Sequence, residues 1–240
     1  MIRHDSRAKD EMRPIKIECD LLEAPAGSAS IRCGNTWVLC SATVENRVPP
    51  WLEGKGRGWV TAEYAMLPAA TSSRNRREGW HGSWPKGRTQ EIGRLIGRAL
   101  RGSTLLDRLG EHSIIVDCDV IQADGGTRTA SITGACVALV DAINHLQRQK
   151  LITQDPLLQM VASVSVGIYE GVPVLDLDYP EDSAADTDMN VVMGESGAFI
   201  EVQGTAEGAP FVRDELNGML DLASDGILEL IARQKAALAG

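Results

Sequence analysis

The stretch Asp117-Cys118-Asp119-Val120-Ile121-Gln122-Ala123-Asp124-Gly125-Gly126-Thr127-Arg128 carries the chain from a strand into a helix. From His112 to Gln122 the apolar Ile114, Val116, Cys118 and Val120 alternate with Asp117 and Asp119, the period of a strand with one buried face. Ala123-Asp124-Gly125-Gly126 breaks that period. A helix is expected from about Arg128 to Gln149, with Ala130, Gly134, Ala135 and Ala138 on a face suited to close packing. Working outward, Pro14–Asp20 and Ser28–Cys33 alternate in the same way, and Gly34-Asn35 turns the latter into Thr36–Glu45, a hairpin signal. Val48–Gly58 reads as a loop, and the Arg-, Gly- and Trp-rich stretch Ser72–Gly87 as an irregular, mobile one. Ile92, Leu95, Ile96, Ala99 and Leu100 form the stripe of an amphipathic helix over Thr89–Arg101, with Thr89 as its cap and Glu91 in its first turn. Strands follow at Gln159–Tyr169, Val172–Asp178, Met189–Met193 and Gly197–Gly204. A long last helix carries Leu216, Leu220, Ala223, Ile227, Leu230 and Ile231. Groups of strands followed by helices predict an α+β fold, mixed sheets packed against amphipathic helices, and not an alternating βαβ sheet. With no linker composition between the halves, residues 1–240 read as a single domain.

Composition narrows the class. Of 240 residues 43% are hydrophobic, 24% charged and 4% aromatic, which excludes collagen-like, disordered and disulfide-scaffold proteins. No uninterrupted apolar run reaches the ~20 residues of a membrane span, and the charged start at Met1–Ile17 is unlike a signal peptide, so a cytoplasmic protein with no membrane partner is expected. Cys19, Cys33, Cys40, Cys118 and Cys136, odd in number and without CxxC spacing, read as buried free thiols. The net charge of −9 argues against a polyanion partner until its distribution is considered. Arg74, Arg76, Arg77, Lys86, Arg88, Arg94, Arg98 and Arg101 stand against only Glu78 and Glu91, a +6 island on a body of −15. Such an island is a footprint for phosphate or nucleic acid, or equally a solvated face bridged to its neighbours.

Gly125-Gly126-Thr127-Arg128 at a helix start offers free backbone N–H groups, the positive end of a helix dipole, a hydroxyl and a forked cation, a set suited to a tetrahedral phosphate. A plain strand-to-helix turn with a capping threonine accounts for the same four residues. Gly87-Arg88-Thr89 repeats the logic inside the basic island. The second constellation is acidic: Asp176, Asp178, Glu181, Asp182, Asp186 and Asp188. Carboxylates on a loop between strands can converge on Mg²⁺, and an acid-rich loop can also be merely solvated. An anion site and a cation site on one chain are what phosphoryl transfer requires. The histidines His4, His81, His112 and His145 lack metal-ligand spacing, and neither a GxSxG elbow nor a GxGxxG fingerprint is present. Trp80 and Trp84, within the basic stretch, could stack on bases or simply anchor a loop.

The runs Gly58-Trp59-Val60-Thr61-Ala62-Glu63-Tyr64, Arg94-Leu95-Ile96-Gly97-Arg98, Asp117 through Arg128, Leu175-Asp176-Leu177-Asp178-Tyr179, Asp188-Met189-Asn190-Val191-Val192-Met193 and Glu201-Val202-Gln203-Gly204-Thr205-Ala206-Glu207 resemble bacterial ribonuclease PH over nearly the whole chain. The resemblance implies an RNase PH-like fold and a phosphate-dependent 3′→5′ exoribonuclease that trims tRNA precursors, built as a ring of six identical subunits. It places phosphate on Arg88, Gly126, Thr127 and Arg128, and the acidic pair on Asp182 and Asp188, where Mg²⁺ would bind or one acid would protonate the leaving oxygen. Arg74, Arg76, Arg77, Arg94, Arg98 and Arg101 are then candidates for the RNA backbone. The chain departs from the family at Ser6, where Asp-Gly-Arg is usual, at Gly93, where a glutamine is common, and at Trp80, His81 and Trp84; these departures are expected to touch the RNA path or subunit contacts. Two rival readings are a silent ring subunit that only binds RNA, and a metal-dependent hydrolase, which would not need a cradle for free phosphate.

Overall fold

The computed structural model describes residues 3–78 and 87–240. The predicted hairpin is present: β1 (Ile15–Cys19), β2 (Gly27–Cys33) and β3 (Thr36–Glu45) run antiparallel, with Cys33 opposite Thr36 across the turn. The 117–128 stretch does what its pattern dictates. β5 (Ser113–Gln122) ends at the glycines and α2 (Thr127–Arg148) begins directly after them. Between these lie β4 (Trp59–Met66) and α1 (Gly87–Gly102). β4 was not expected as a strand. It pairs parallel to β5, and α1 is the crossover between them, so the first sheet, ordered β1-β2-β3-β5-β4, contains one βαβ unit within an otherwise antiparallel array. The second sheet, ordered β7-β6-β8-β9, is antiparallel throughout: β6 (Val161–Tyr169), β7 (Val172–Leu175), β8 (Thr187–Gly194) and β9 (Phe199–Ala206). α3 (Tyr179–Asp182) is a single turn before β8, and α4 (Arg213–Ala239) closes the chain.

α2 is the centre of the molecule. It is long and apolar enough to cross a membrane, yet it packs against β2, β3 and β5 of one sheet and β6 of the other, and its residues 129–140 are all buried. The small-residue face permits this close approach: a Cβ at Gly134 would lie 2.8 Å from Ile31 Cγ2 and 2.9 Å from Cys40 Sγ. α4 covers β6, β1 and β7. In the first sheet Trp37, Leu39, Ile115 and Ile121 remain only partly buried. Cys33, Cys40, Cys118 and Cys136 are buried and Cys19 partly so, all with free thiols; burial pushes the Cys33 and Cys136 thiols up to about 12.

Two helix-start expectations are corrected. Thr89 sits inside the first turn of α1, and Glu91 lies a turn further along, facing the α2 start instead of its own helix dipole. At α2 the cap is Gly126, in the left-handed conformation (φ 63°) with no side-chain cap bond, so Thr127 is the first helical residue and its hydroxyl is not used for capping. The reading of residues 79–86, including Trp80, His81, Trp84 and Lys86, lies outside the described residues.

The amino-terminal segment hooks onto the second sheet. Arg3 is buried, and its Nε donates to Glu181 Oε1 at 2.5 Å while its Nη1 donates to Leu175 O at 2.6 Å. Arg7 reaches Asp176 O at 2.9 Å and Glu181 Oε2 at 3.2 Å. Ser6, one of the departures from the family pattern, lies between them with φ 72°, a region in which any side chain is strained. This departure therefore bears on the hook that carries α3. Ser6→Gly is expected to stabilise the fold by about 0.5–1 kcal/mol, the relief of strain exceeding the added freedom of the unfolded chain. Urea unfolding of the two proteins checks this.

Candidate active site

The acidic run divides into two groups with different partners. Asp176 takes Arg13: its Oδ2 accepts from the Arg13 backbone N–H and Nε, both at 2.9 Å, and its Oδ1 from Nη2 at 2.6 Å. Asp178 caps α3 by accepting from the Glu181 N–H at 3.1 Å and meets His4 Nε2 at 2.6 Å. Glu181 is fully buried and held by Arg3 and Arg7. Burial opposes ionisation of Asp176 and Glu181, but these arginines hold both below the usual carboxylate range. His4, Asp178 and Glu181 bring ligand atoms within 4.8 Å of one another, yet those atoms are already spent on guanidinium groups and a helix cap. Three of the six acids are thus scaffold, and Asp186 is exposed.

Asp182 and Asp188 are the pair that remains. Asp182 ends α3, exposed, and Asp188 lies on β8 opposite Gly167 and Thr205. The Oδ1 of Asp188 is buried and has no hydrogen-bond partner among the described residues. Burial, then the like charge of Asp182, pushes the Asp188 carboxyl up to about 6, with Glu207 adding to the rise and Arg128 and Arg88 opposing it. Asp182, though open to solvent at its tip, is also raised, by desolvation from the groups crowded around it and then by Glu207, against the pull of Arg88 and Arg128. Two mutually repelling carboxylates, one with an orphaned oxygen, form a donor set that fits a hard divalent cation.

The sequence-expected anion cradle faces them. The Gly125-Gly126 turn lies against α3: a Cβ at Gly125 would meet Leu177 O at 2.7 Å and the Asp178 carbonyl carbon at 2.6 Å. The first-turn N–H groups of α2 have no intrahelical acceptor, and no acid lies in that turn. The Arg128 guanidinium donates from Nη1 to Gln203 Oε1 at 3.0 Å and lies 3.7 Å from Glu91, which tethers it to β9 and α1. Arg88 opens α1, exposed, with its charge felt at Asp182, Asp188 and Tyr64. Tyr64 on β4 reaches Thr127 Oγ1 at 2.9 Å.

The basic island is dispersed. Arg74, Arg76 and Arg77 are exposed, and the Arg77 charge is felt at Asp119. Arg94 is exposed and lines a groove of about 410 Å³ between β4 and α1, together with Tyr64, Thr89 and Gly93. Gly93 fits there because a Cβ would approach Ala62 O at 3.0 Å, so this departure from the family sets the α1–β4 spacing. Arg98 is paired with Glu201 at 2.5 Å. Arg101 donates to Val60 O at 2.9 Å and lies 4.5 Å over the Trp59 ring, half-buried. Tyr64, Gln203, Glu207 and Arg13 received no role from the sequence. Tyr64 and the 201–207 run stood in the family-like stretches, whereas Arg13 had no local signal.

A helix-start anion cradle beside two acids is the equipment of phosphoryl transfer. The chain matches the 3′ exoribonuclease family, domain 1, over residues 11–143 and domain 2 of the same family over residues 159–226. It belongs to the RNase PH family of phosphate-dependent 3′→5′ exoribonucleases. The fold is shared with rice (Oryza sativa) Rrp46, at TM-score 0.80 and 18% identity over 99% of this chain and 100% of that one. It is also shared with a chain of the Archaeoglobus fulgidus exosome solved with RNA bound to the active site, at TM-score 0.81 and 22% identity over 98% and 92%.

The raised Asp188 carboxyl carries a stability cost. Its folded pKa of about 6 exceeds the unfolded value near 3.9, so the fold loses stability as pH rises through that window. In EDTA at pH 8, Asp188→Asn is expected to be more stable than wild type by about 2 kcal/mol, and the gap should close near pH 4. Thermal midpoints across pH check the sign.

Proposed function

We propose that this protein is the functional counterpart of bacterial ribonuclease PH, a cytoplasmic tRNA nucleotidyltransferase that shortens tRNA precursors, and other RNA 3′ ends, by phosphorolysis. The observation that carries the reading is the Asp182–Asp188 pair, set in the field of Arg88 and Arg128 beside an open helix start. Inorganic phosphate is held by the Gly126 turn, the Thr127 hydroxyl, Arg128 and Arg88. One of its oxygens attacks the terminal phosphorus, the P–O3′ bond breaks, the shortened RNA departs with its O3′ taking a proton from the attacking phosphate or from Asp182 or Asp188, and a nucleoside 5′-diphosphate is released. Asp182 and Asp188 would hold Mg²⁺, which, when bound, offsets the negative charge gathered between phosphate and RNA. The complete set of acids and cradle residues speaks against a silent subunit, and a cradle for free phosphate speaks against a hydrolase.

RNA approaches along the β4–α1 groove, guided by Arg94 and by the exposed Arg74, Arg76 and Arg77. Arg98 and Arg101, already engaged with Glu201 and with Val60 and Trp59, contribute only where RNA displaces those partners. The assembly proposed is a homo-hexamer, a trimer of dimers. It is supported by the half-covered Trp37, Leu39, Ile115 and Ile121 of the first sheet, and by the resemblance to a chain of the Archaeoglobus fulgidus exosome.

Arg128→Ala and Arg88→Ala should each raise the phosphate KM by tenfold or more, since each removes a charge-assisted contact of about 1.5–3 kcal/mol. Asp182→Asn and Asp188→Asn should abolish turnover; with EDTA present, so that no cation is lost with the carboxylate, RNA affinity should stay intact, because less negative charge cannot weaken a polyanion's attraction. Phosphate titrations and RNA-binding isotherms of the four variants are the test. Wild-type phosphate dependence in both arginine variants, or an active Asp188→Asn enzyme, would refute the assignment.

A further inference from the structure

Four hydroxyls stand in the first two turns of α2, and three of them bond back into the helix. Thr129 Oγ1 donates to Gly126 O at 2.9 Å, Ser131 Oγ to Thr127 O at 2.8 Å and Thr133 Oγ1 to Thr129 O at 3.0 Å. Thr127 Oγ1 does not. It is turned across to β4, where the Tyr64 hydroxyl lies 2.9 Å away. Tyr64 is buried on the face of β4 that meets the helices, opposite Cys118 of β5, so its ring is fixed by packing and its hydroxyl projects to one place.

We infer that Tyr64 is a positioning residue for phosphate: its phenol donates to Thr127 Oγ1, so that the single hydroxyl proton of Thr127 is left to point at a phosphate oxygen. The inference rests on the phosphate reading proposed above. A hydroxyl has one proton and two lone pairs, and the unprotonated oxygens of phosphate only accept. If Thr127 donated to Tyr64, its lone pairs would face the anion and repel it. With Tyr64 as donor, Thr127 accepts on one side and donates on the other, a directed relay. Burial pushes the Tyr64 phenol up, against the opposing pull of Thr127, Arg88 and Arg128, so the phenol has a proton to give. Phosphate arriving at the helix start adds the acceptor that completes the relay. Tyr64 acts on phosphate through that hydroxyl, and Tyr64→Phe leaves its ring in place in the β4–α1 groove.

A double-mutant cycle on the full-length protein tests this, reading KM for phosphate and KM for RNA separately. Tyr64→Phe keeps the ring and removes only the donor. It should raise the phosphate KM three- to tenfold, with the RNA KM within twofold and the thermal midpoint close to wild type. Thr127→Val should raise the phosphate KM at least as much. Tyr64→Phe added to Thr127→Val should then change it no further. Thr127→Ser, which keeps the oxygen, should lose phosphate affinity when Tyr64→Phe is added, where Thr127→Val does not. An unchanged phosphate KM in Tyr64→Phe overturns the inference, as do effects that multiply in the double variant or fall equally on RNA. Arg128→Ala separates the levels. If it raises the phosphate KM and Tyr64→Phe does not, only the relay fails; if neither does, the phosphate reading falls and the relay with it.

Discussion

The buried pair Arg13–Asp176 is the constraint from which the site follows. Arg13 clasps both oxygens of Asp176, uses its backbone N–H on the same carboxylate, and reaches Asp124 O at 2.5 Å with Nη1. One side chain thus ties the start of the first sheet, the turn before α2 and the acidic loop after β7. Asp176 is itself held at φ 54°, a conformation kept because three arginines, Arg3, Arg7 and Arg13, bind its backbone or side chain. A buried pair of this kind adds little net stability over an apolar contact, but removing one partner strands a charge at about 3–5 kcal/mol. Its service is placement: the cradle turn and the acidic loop meet backbone to backbone at Gly125.

Around that joint the molecule accepts local costs. Asp188 keeps an oxygen without a partner among the described residues, and burial, then the charge of Asp182, pushes it toward neutrality. The first turn of α2 has no acid and no side-chain cap. Each is a place where a protein selected for stability alone would add a hydrogen bond. Together they form an open set of donors and acceptors, separated by charge, which suits an anion on one side and a cation on the other. The scaffold acids Asp176, Asp178 and Glu181 are all hydrogen-bonded.

The strands and helices were legible because their signals are local. β1, β2, β3, β5 and α2 follow from alternation, glycine turns and small-residue spacing, and their ends fall within a residue or two of expectation. β4 was not, although Val60, Ala62 and Tyr64 alternate. The run contains Ala62, Glu63 and Ala65, poor strand formers, and it becomes a strand by pairing with β5 across the whole of α1. The site was half legible. Counting acids located the loop, but which acids are free depends on arginines more than 160 residues away, at Arg3, Arg7 and Arg13. Counting cations located the island and overstated it, because Arg98 and Arg101 are engaged within the fold. Thr127 was expected at the cradle; that its hydroxyl answers to Tyr64, 63 residues earlier, is a tertiary fact.

The most direct measurement is the identity of the released nucleotide when a 3′-extended tRNA is incubated with the protein and Mg²⁺, with and without inorganic phosphate. The arrangement of Asp182, Asp188, Arg88 and Arg128 around the α2 start predicts nucleoside 5′-diphosphates, one per nucleotide removed, and no trimming when phosphate is withheld. Nucleoside monophosphates released at the same rate in both conditions would contradict it.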